Sequence, residues 1–444
     1  MPEIRSSPTT ATAVARNELA DSDSGNSASQ TYQDEIARID RQISDVDAID
    51  RRFAGFRLGL FVAFIASLGF SLTTWHSWWV VLTIISLLTF LVVVVWNEGY
   101  RDRLQMLRAH SRTLRRLQDR VDRKWSALAE DRLGRDAAAL TLTDRQAALA
   151  GDLDLTGNSS LFQLVSMAGT QPGMRTLLNW LCDPADVETS RQRHQLAQHL
   201  ATLRDDRIRF HTLARDVGGS TAAPEAFVQW AQSANWLQSR SWLMVWANGS
   251  VGLTAIVLGW FVISLATGNA SSWSLALACL LGIAVLNLIV AAVFVAPAAK
   301  IFSVAMASRR QVSEMSELLS AADWLPDQRG FASGKPKQAS GDQANTNLLS
   351  LAQSLRYRLL EADRSAKRGM TDLARIAKAG GLKQAAATFF LYIPLQAFGL
   401  WDVRVLKRLE DWKGRYGEFV QDWFAALGEI EALLSLATLA DENP

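Results

Sequence analysis

The sequence predicts an all-α integral membrane protein, with two transmembrane helical hairpins and a cytoplasmic helical domain, on three observations. Residues 58–96 and 241–296 contain no Asp, Glu, Lys or Arg, and each block is long enough to cross a bilayer twice at roughly 20 residues per span. Outside these blocks, apolar residues recur in steps of three or four, the period of helices with one covered face. Several of the 16 tryptophans, among them Trp75, Trp78, Trp96, Trp242 and Trp273, sit near the block ends, where an amphipathic ring suits a membrane interface.

Composition bounds the function. A chain of 444 residues divides into two or more folding units. Lys+Arg at 46 against Asp+Glu at 44 leaves no global basic footprint, so any nucleic-acid surface must be local. Cys182 and Cys279 are the only cysteines and lie far apart, which gives no ground for a disulfide framework or a cysteine metal site and fits a reducing cytosol.

Residues 1–30 are rich in Ser, Thr, Ala and Asp and poor in large apolar side chains, so they read as a disordered tail with no signal peptide. In 31–57, Ile36, Ile39, Ile43, Val46 and Ile49 mark an amphipathic helix. The first hairpin, 58–96, comprises spans Leu58 to Thr74 and Trp78 to Trp96 around a short Trp75-His76-Ser77 turn. Arg51, Arg52 and Arg57 before it and Arg101, Arg103 and Arg108 after it place both flanks in the cytoplasm. Residues 97–150 open with a long charged helix, Glu98 to about Leu133, expected to pair with the Tyr32 helix as an antiparallel coil. Its basic residues suggest DNA or anionic lipid, but Asp119, Asp122, Glu130 and Asp131 offset them, which favours a solvated face.

Residues 151–240 form a soluble helical region, with a helix start at Ala223-Pro224-Glu225. The second hairpin, 241–296, has spans Leu243 to Leu265 and Trp273 to Val295, flanked by Arg240 and by Lys300, Arg309 and Arg310. Four spans with both termini cytoplasmic, in the cell (inner) membrane, are therefore expected. Asn248 and Asn287 are the polar residues of this block that suit interhelical hydrogen bonds, and the lack of ionisable groups at depth argues against a transporter. Residues 297–326 are a further cytoplasmic helix and 327–347 a flexible loop. The loop's Gly334-Lys335 is followed by Pro336, so the hydroxyl a phosphate-binding loop needs for Mg²⁺ is missing. In 348–444, Leu348 to Ile376 is helical, Ala385 to Leu400 is an apolar segment interrupted by Pro394 and read as buried core, and a last helix runs from Leu400 to Leu439. Its stripe of Leu406, Leu409, Trp412, Phe419, Trp423 and Ile430 must be covered, and about 40 residues of helix make a rod near 60 Å that can transmit movement.

Leu161-Phe162-Gln163-Leu164, Thr170, Pro172-Gly173, Arg175, Leu177-Leu178, Trp180-Leu181, Asp183-Pro184 and Arg191-Gln192 resemble the opening of the core (lever) domain of the MutS family of DNA mismatch-repair ATPases. Leu400-Trp401-Asp402, Leu409-Glu410, Trp412 and Leu427-Gly428-Glu429-Ile430-Glu431-Ala432-Leu433 through Pro444 resemble the lever helix of the membrane-associated MutS-like branch. The resemblance implies a lever rooted at Gly151 to Arg215, with DNA as a partner and either a homodimer or a partner carrying the ATPase module. No Walker loop follows the lever, so the expectation is that the chain is no enzyme by itself, that it holds no cofactor, and that ATP and Mg belong to a module outside a truncated or split chain. The family's mismatch-reading domain, which wedges a Phe assisted by a Glu into DNA, has no counterpart in the tail and first hairpin. The alternative is a structural membrane scaffold that binds protein partners through coiled helices, with no DNA role.

Other constellations carry no chemistry. His194 and His199 are five residues apart, unlike the four-residue step of helical zinc sites, and with His211 they read as surface histidines. Asp152-x-Asp154-x-x-Gly157-Asn158 starts like a calcium loop but has Gln163 where the bidentate Glu belongs, so a helix-entry turn accounts for it. Ser159 and Ser160 lack a base and make no nucleophile. Catalytic, cofactor-binding and metal residues are accordingly none.

Overall fold

The computed structural model describes residues 9–74, 77–220, 224–267, 270–295, 309–325, 350–383 and 386–442, and the described residues are helical with no strand. In chain order the helices are α1 (Thr9–Thr74), α2 (Ser77–Val121), α3 (Trp125–Glu130), α4 (Arg132–Ala138), α5 (Asp144–Asp152), α6 (Leu161–Val165), α7 (Gln171–Cys182), α8 (Val187–Ala201), α9 (Arg204–Ser220), α10 (Pro224–Gln232), α11 (Trp242–Ala266), α12 (Ala270–Val290) and α13 (Arg309–Ser320). They are followed by α14 (350–356, widening into a π turn at Tyr357–Glu361), α15 (Ala366–Gly380), α16 (Ala386–Gly399), α17 (Trp401–Tyr416) and α18 (Val420–Glu442). The chain divides into two compact units, Met1–Gly219 with Glu429–Pro444, and Ser220–Gly428. The division falls inside α18.

In the first unit, α1 and α2 form one antiparallel hairpin whose contacts run in register from Phe70 back to Ser29. Phe70 stacks on Trp79 at 4.9 Å and Phe61 meets Phe90 at 6.0 Å. Phe53 meets Tyr100 at 5.5 Å, the Arg108 guanidinium reaches Asp47 at 2.9 Å, Arg115 reaches Asp40 at 2.7 Å, and Ser29 Oγ donates to Asp122 at 2.8 Å. The expected pairing of the Tyr32 helix with the charged helix is thus present, continuous with the apolar hairpin. Two expectations need correction. The helix begins at Thr9, inside the stretch to residue 30 expected as a disordered tail, and runs on through Gly25. The charged helix ends at Val121 rather than near Leu133, because Arg123 adopts a left-handed φ of 52° and turns α3 and α4 inward.

That turn matters for the core. Leu133, Leu155, Phe162, Val165, Leu177 and Leu178 are buried together, with Leu436 and Leu439 of α18 packed against them. Side chains start these helices: Thr143 and Gln146 form a capping box on α5, Ser160 caps α6, Thr170 caps α7 ahead of Pro172, and Asp186 caps α8.

In the second unit, α11 and α12 form a hairpin whose apolar residues largely face outward, Val245 at 73% and Ile256 at 71% exposure. Its soluble core is aromatic. Trp230 stacks on Trp412 at 5.7 Å, Phe227 meets Phe424 edge-on at 6.1 Å, and the Trp412 and Trp423 indole N–H groups donate to Gly369 O and Arg364 O. Leu348 to Ile376 is not one helix: it breaks at Ala362–Ser365 between the π turn and α15. The last helix also bends, through a 3₁₀ turn at Gly417–Phe419, where Gly417 lies so close to Ala231 O that an added Cβ would stand 2.3 Å away. The loop 327–347, residues 297–308 and 326 of the expected helix 297–326, and the turn residues 75–76 and 268–269 lie outside the described residues.

Among the described residues, four helices are long and apolar enough to cross a membrane: Ser29–Phe70, Trp242–Ala266, Ser271–Phe294 and Trp401–Glu442. The first three bury 6%, 17% and 22% of their most apolar window, whereas the last buries 67% and so spends its apolarity on the protein's own core. The expected second span, Trp78 to Trp96, is the first half of α2 and is helical, with many of its side chains outside the described residues.

Candidate functional site

The last turns of α18 present a polar stripe inside an otherwise apolar helix. Glu431, Ser435, Thr438 and Asp441 follow at helical steps on one face, and each meets a partner from the stretch 167–211. Glu431 Oε1 accepts from the N–H groups of Gly169 at 2.9 Å and Thr170 at 3.3 Å, and Oε2 accepts from the Thr170 hydroxyl. Gly173 is required beside it, because an added Cβ would fall 2.0 Å from Glu431 Oε2. Gly169 and Gly218 permit a backbone crossing just as close: a Cβ on Gly218 would sit 1.9 Å from Gly169 O.

Burial pushes the Glu431 carboxyl up to about 7, against the hydrogen bonds from Thr170 and Gly169 and the Arg132 charge that favour its ionised form. Ser435 donates to Glu431 O and accepts from Met167 N–H at 3.1 Å. Thr438 spends its proton on Leu434 O, so His211 Nε2, 3.1 Å away, must be the donor to its oxygen. Burial, then the nearby Arg207 and Arg120 charges, push His211 down to about 3, leaving the ring neutral.

Two ion pairs end the stripe. Arg207 Nη2 donates to Asp441 at 2.5 Å, and Arg120 reaches Glu442 at 3.3 Å with side chains only 1% and 5% exposed. Arg120 Nε also donates to Leu164 O at 2.6 Å. Burial, followed by the Glu442 charge, raises the neighbouring Tyr32 hydroxyl to about 12. A second knot lies alongside. Asp131 pairs with Arg116 at 3.2 Å and with Arg215, and Arg132 donates to Arg215 O at 2.8 Å. Burial would raise the Asp131 carboxyl, but the two guanidiniums hold it below the usual range.

A cavity of about 340 Å³ opens beside this knot, lined by Arg116, Leu140, Asn158, Phe162 and Leu178. The Arg116 donors are spent on Asp131, Leu128 O, Gln163 O and Ser166 O, so the guanidinium offers the cavity little. Burial lowers this guanidinium to about 10.

The histidines are scattered. His211 is buried, which corrects its assignment to the surface, whereas His194 is exposed and His199 half-buried. Among the described residues no group of three metal-ligating side chains forms. Asp152 to Gln163 is a helix-entry turn, with Asp154, Gly157 and Ser159 all at positive φ and Gln163 accepting from Ser159 N–H at 2.7 Å. Ser160 is spent as the cap of α6. Gly334-Lys335 lies outside the described residues.

The stripe of Glu431, Ser435 and Thr438 escaped sequence reasoning, which followed the leucines of the same helix. Its signal was a carboxyl and two hydroxyls at steps of four and three in an apolar run, where a charge is costly unless met. Comparison with protein-family models, with curated proteins and with solved structures returned no match.

Proposed function

We propose that the chain is a membrane-anchored coupling protein, a MutS-like core and lever that performs no catalysis itself and links DNA to a nucleotide-driven module on a partner. It sits in the inner membrane through two hairpins with both termini cytoplasmic. One observation carries the reading: the two segments that bear the resemblance, Leu161–Gln192 and Leu427–Glu442, are 261 residues apart at Thr170 and Glu431 and yet meet through that hydrogen bond. A polar contact in nearly every turn of a helix end resists sliding and rotation, which a transmitting rod needs and a purely apolar contact provides poorly.

The test is fluorescence anisotropy of labelled duplex DNA with the detergent-solubilised chain. Affinity is expected to fall by about tenfold or more between about 50 and 200 mM salt as phosphate contacts are lost. Absence of binding at the lowest salt would sink the DNA role.

A second reading, a membrane scaffold that binds proteins and no DNA, is favoured by the fate of the basic residues of α2. Arg108 and Arg115 face Asp47 and Asp40, and Arg116 and Arg120 are buried with carboxylates. Salt-independent capture of a defined partner, with no DNA binding, selects this reading.

A further inference from the structure

The apolar segment read as buried core, α16, is enclosed only in part: Gln396 and Ala397 of its last turn are buried, but the turn before them is open. Ile393 is 45% exposed and Pro394 is exposed too, and no Asp, Glu, Lys or Arg occurs from Gln384 to Trp401. Its C-terminal end is handled unusually. Helix ends leave carbonyls without intrahelical partners, which water satisfies on a soluble protein. Here side chains and backbone do so instead: Asn287, fully buried in α12, donates to Ala397 O at 2.8 Å, Arg404 Nε donates to Gly399 O at 2.9 Å, and Leu400 N–H donates to Gln396 O at 3.2 Å. The two polar groups of the last turns are tied inward. Gln396 Oε1 accepts from Asp402 N–H at 3.0 Å, and the Tyr392 hydroxyl donates to Asp402 at 3.0 Å. Leu400, at φ 48°, then reverses the chain into α17.

Side-chain pairing of the Ala397 and Gly399 carbonyls is what a medium without hydrogen-bonding capacity demands. The level at which α16 ends agrees. Asn287 also accepts from the Trp246 indole N–H at 3.1 Å, one turn into α11 from Trp242, and Arg404 donates to Ala247 O at 3.1 Å. Phe398 packs against the apolar cluster of Val257, Ala276 and Leu280 between α11 and α12. At 14 residues, about 21 Å, α16 is too short to span.

We propose that α16 is a shallow re-entrant membrane helix, seated among lipid chains beside the second hairpin at the end where Asn287 and Trp246 lie. It is a further lipid-contacting element, and the Asn287 amide fixes its depth. The inference rests on the membrane reading of α11 and α12.

The experiment uses the full chain in lipid nanodiscs, with Cys182 and Cys279 replaced by Ser and the environment-sensitive fluorophore NBD placed on single cysteines. Ile393→Cys is compared with Leu281→Cys, on the exposed face of α12, and with Val187→Cys, exposed at the start of α8. The expected result is quenching at 393 by doxyl-labelled lipid and protection from iodide, as at 281, while 187 shows the reverse. Iodide quenching at 393 overturns the proposal, and so does protection from both quenchers, which means that protein covers the helix. Failure of doxyl lipid to quench at 281 overturns the span reading and this inference with it. In an Asn287→Leu background, doxyl quenching at 393 falls by roughly two- to threefold while that at 281 is unchanged; an unaltered signal removes Asn287 from the proposal.

Discussion

Glu431 of α18 and His211 of α9, which meets Thr438 two turns further along α18, are both buried, and burial moves them in opposite senses. The Glu431 carboxyl is raised to about 7 from an unfolded value near 4.5, so the stability of its protonated form is present below about pH 4.5 and lost as pH rises through about 7. His211 is lowered to about 3 from 6.5, so its contribution is present above about pH 6.5 and lost as pH falls. Each slope is about 1.4 kcal/mol per pH unit, and they oppose one another where the windows overlap, between about pH 4.5 and 6.5. Glu431→Gln removes one slope. The wild-type melting temperature is expected to vary little over that window, while the variant loses stability toward acid as the His211 effect is unmasked. A constant difference between the two melting temperatures from about pH 5 to 8 would show that the carboxyl does not titrate there.

At the scale of elements, α18 is held by what it meets at its C-terminal end. Arg120→Met leaves Glu442 buried without its cation, and removing one partner of a buried pair costs about 3–5 kcal/mol. Hydrogen exchange in residues 433–442 should then quicken by orders of magnitude while α11 and α12 keep their protection; unchanged exchange would mean that the ion pair contributes nothing. The bend between α17 and α18 makes a different prediction. Gly417→Ala places a Cβ 2.3 Å from the Ala231 carbonyl, which is backbone and has little room to move. A loss of about 1–3 kcal/mol follows, read as a lower midpoint for tryptophan fluorescence, since Trp230 and Trp412 stack beside it. A wild-type midpoint would place the close approach elsewhere.

For the whole molecule, the apolar hairpins fix what the chain can be. Cationic flanks on both sides of each hairpin predict one orientation, with the turn at Thr267–Ala270 on the far side from Val187. Single cysteines at Gly268 and Val187, on a background lacking Cys182 and Cys279, test it with a membrane-impermeant maleimide. Gly268→Cys should react in intact cells and Val187→Cys only after permeabilisation. The opposite pattern inverts the topology.

The sequence by itself determined the helical class and the two apolar hairpins, because uninterrupted apolarity and a three-to-four step are local properties of the chain. It also marked Pro224 as the first position of a helix, where α10 begins, since a proline's missing N–H is spare at that position. It misplaced the ends of α2 and of the last helix, where Arg123 and Gly417 turn the backbone to suit packing distant in sequence. Only the tertiary structure decided that Glu431 meets Thr170, that four arginines are buried with carboxylates, that Trp401–Glu442 is core despite its apolarity, and that α16 lies partly open beside Asn287. In each case a group's role depends on the medium that surrounds it after folding. A buried carboxyl, a covered apolar stripe and a bare one look alike in the sequence until the partners that desolvate them are in place.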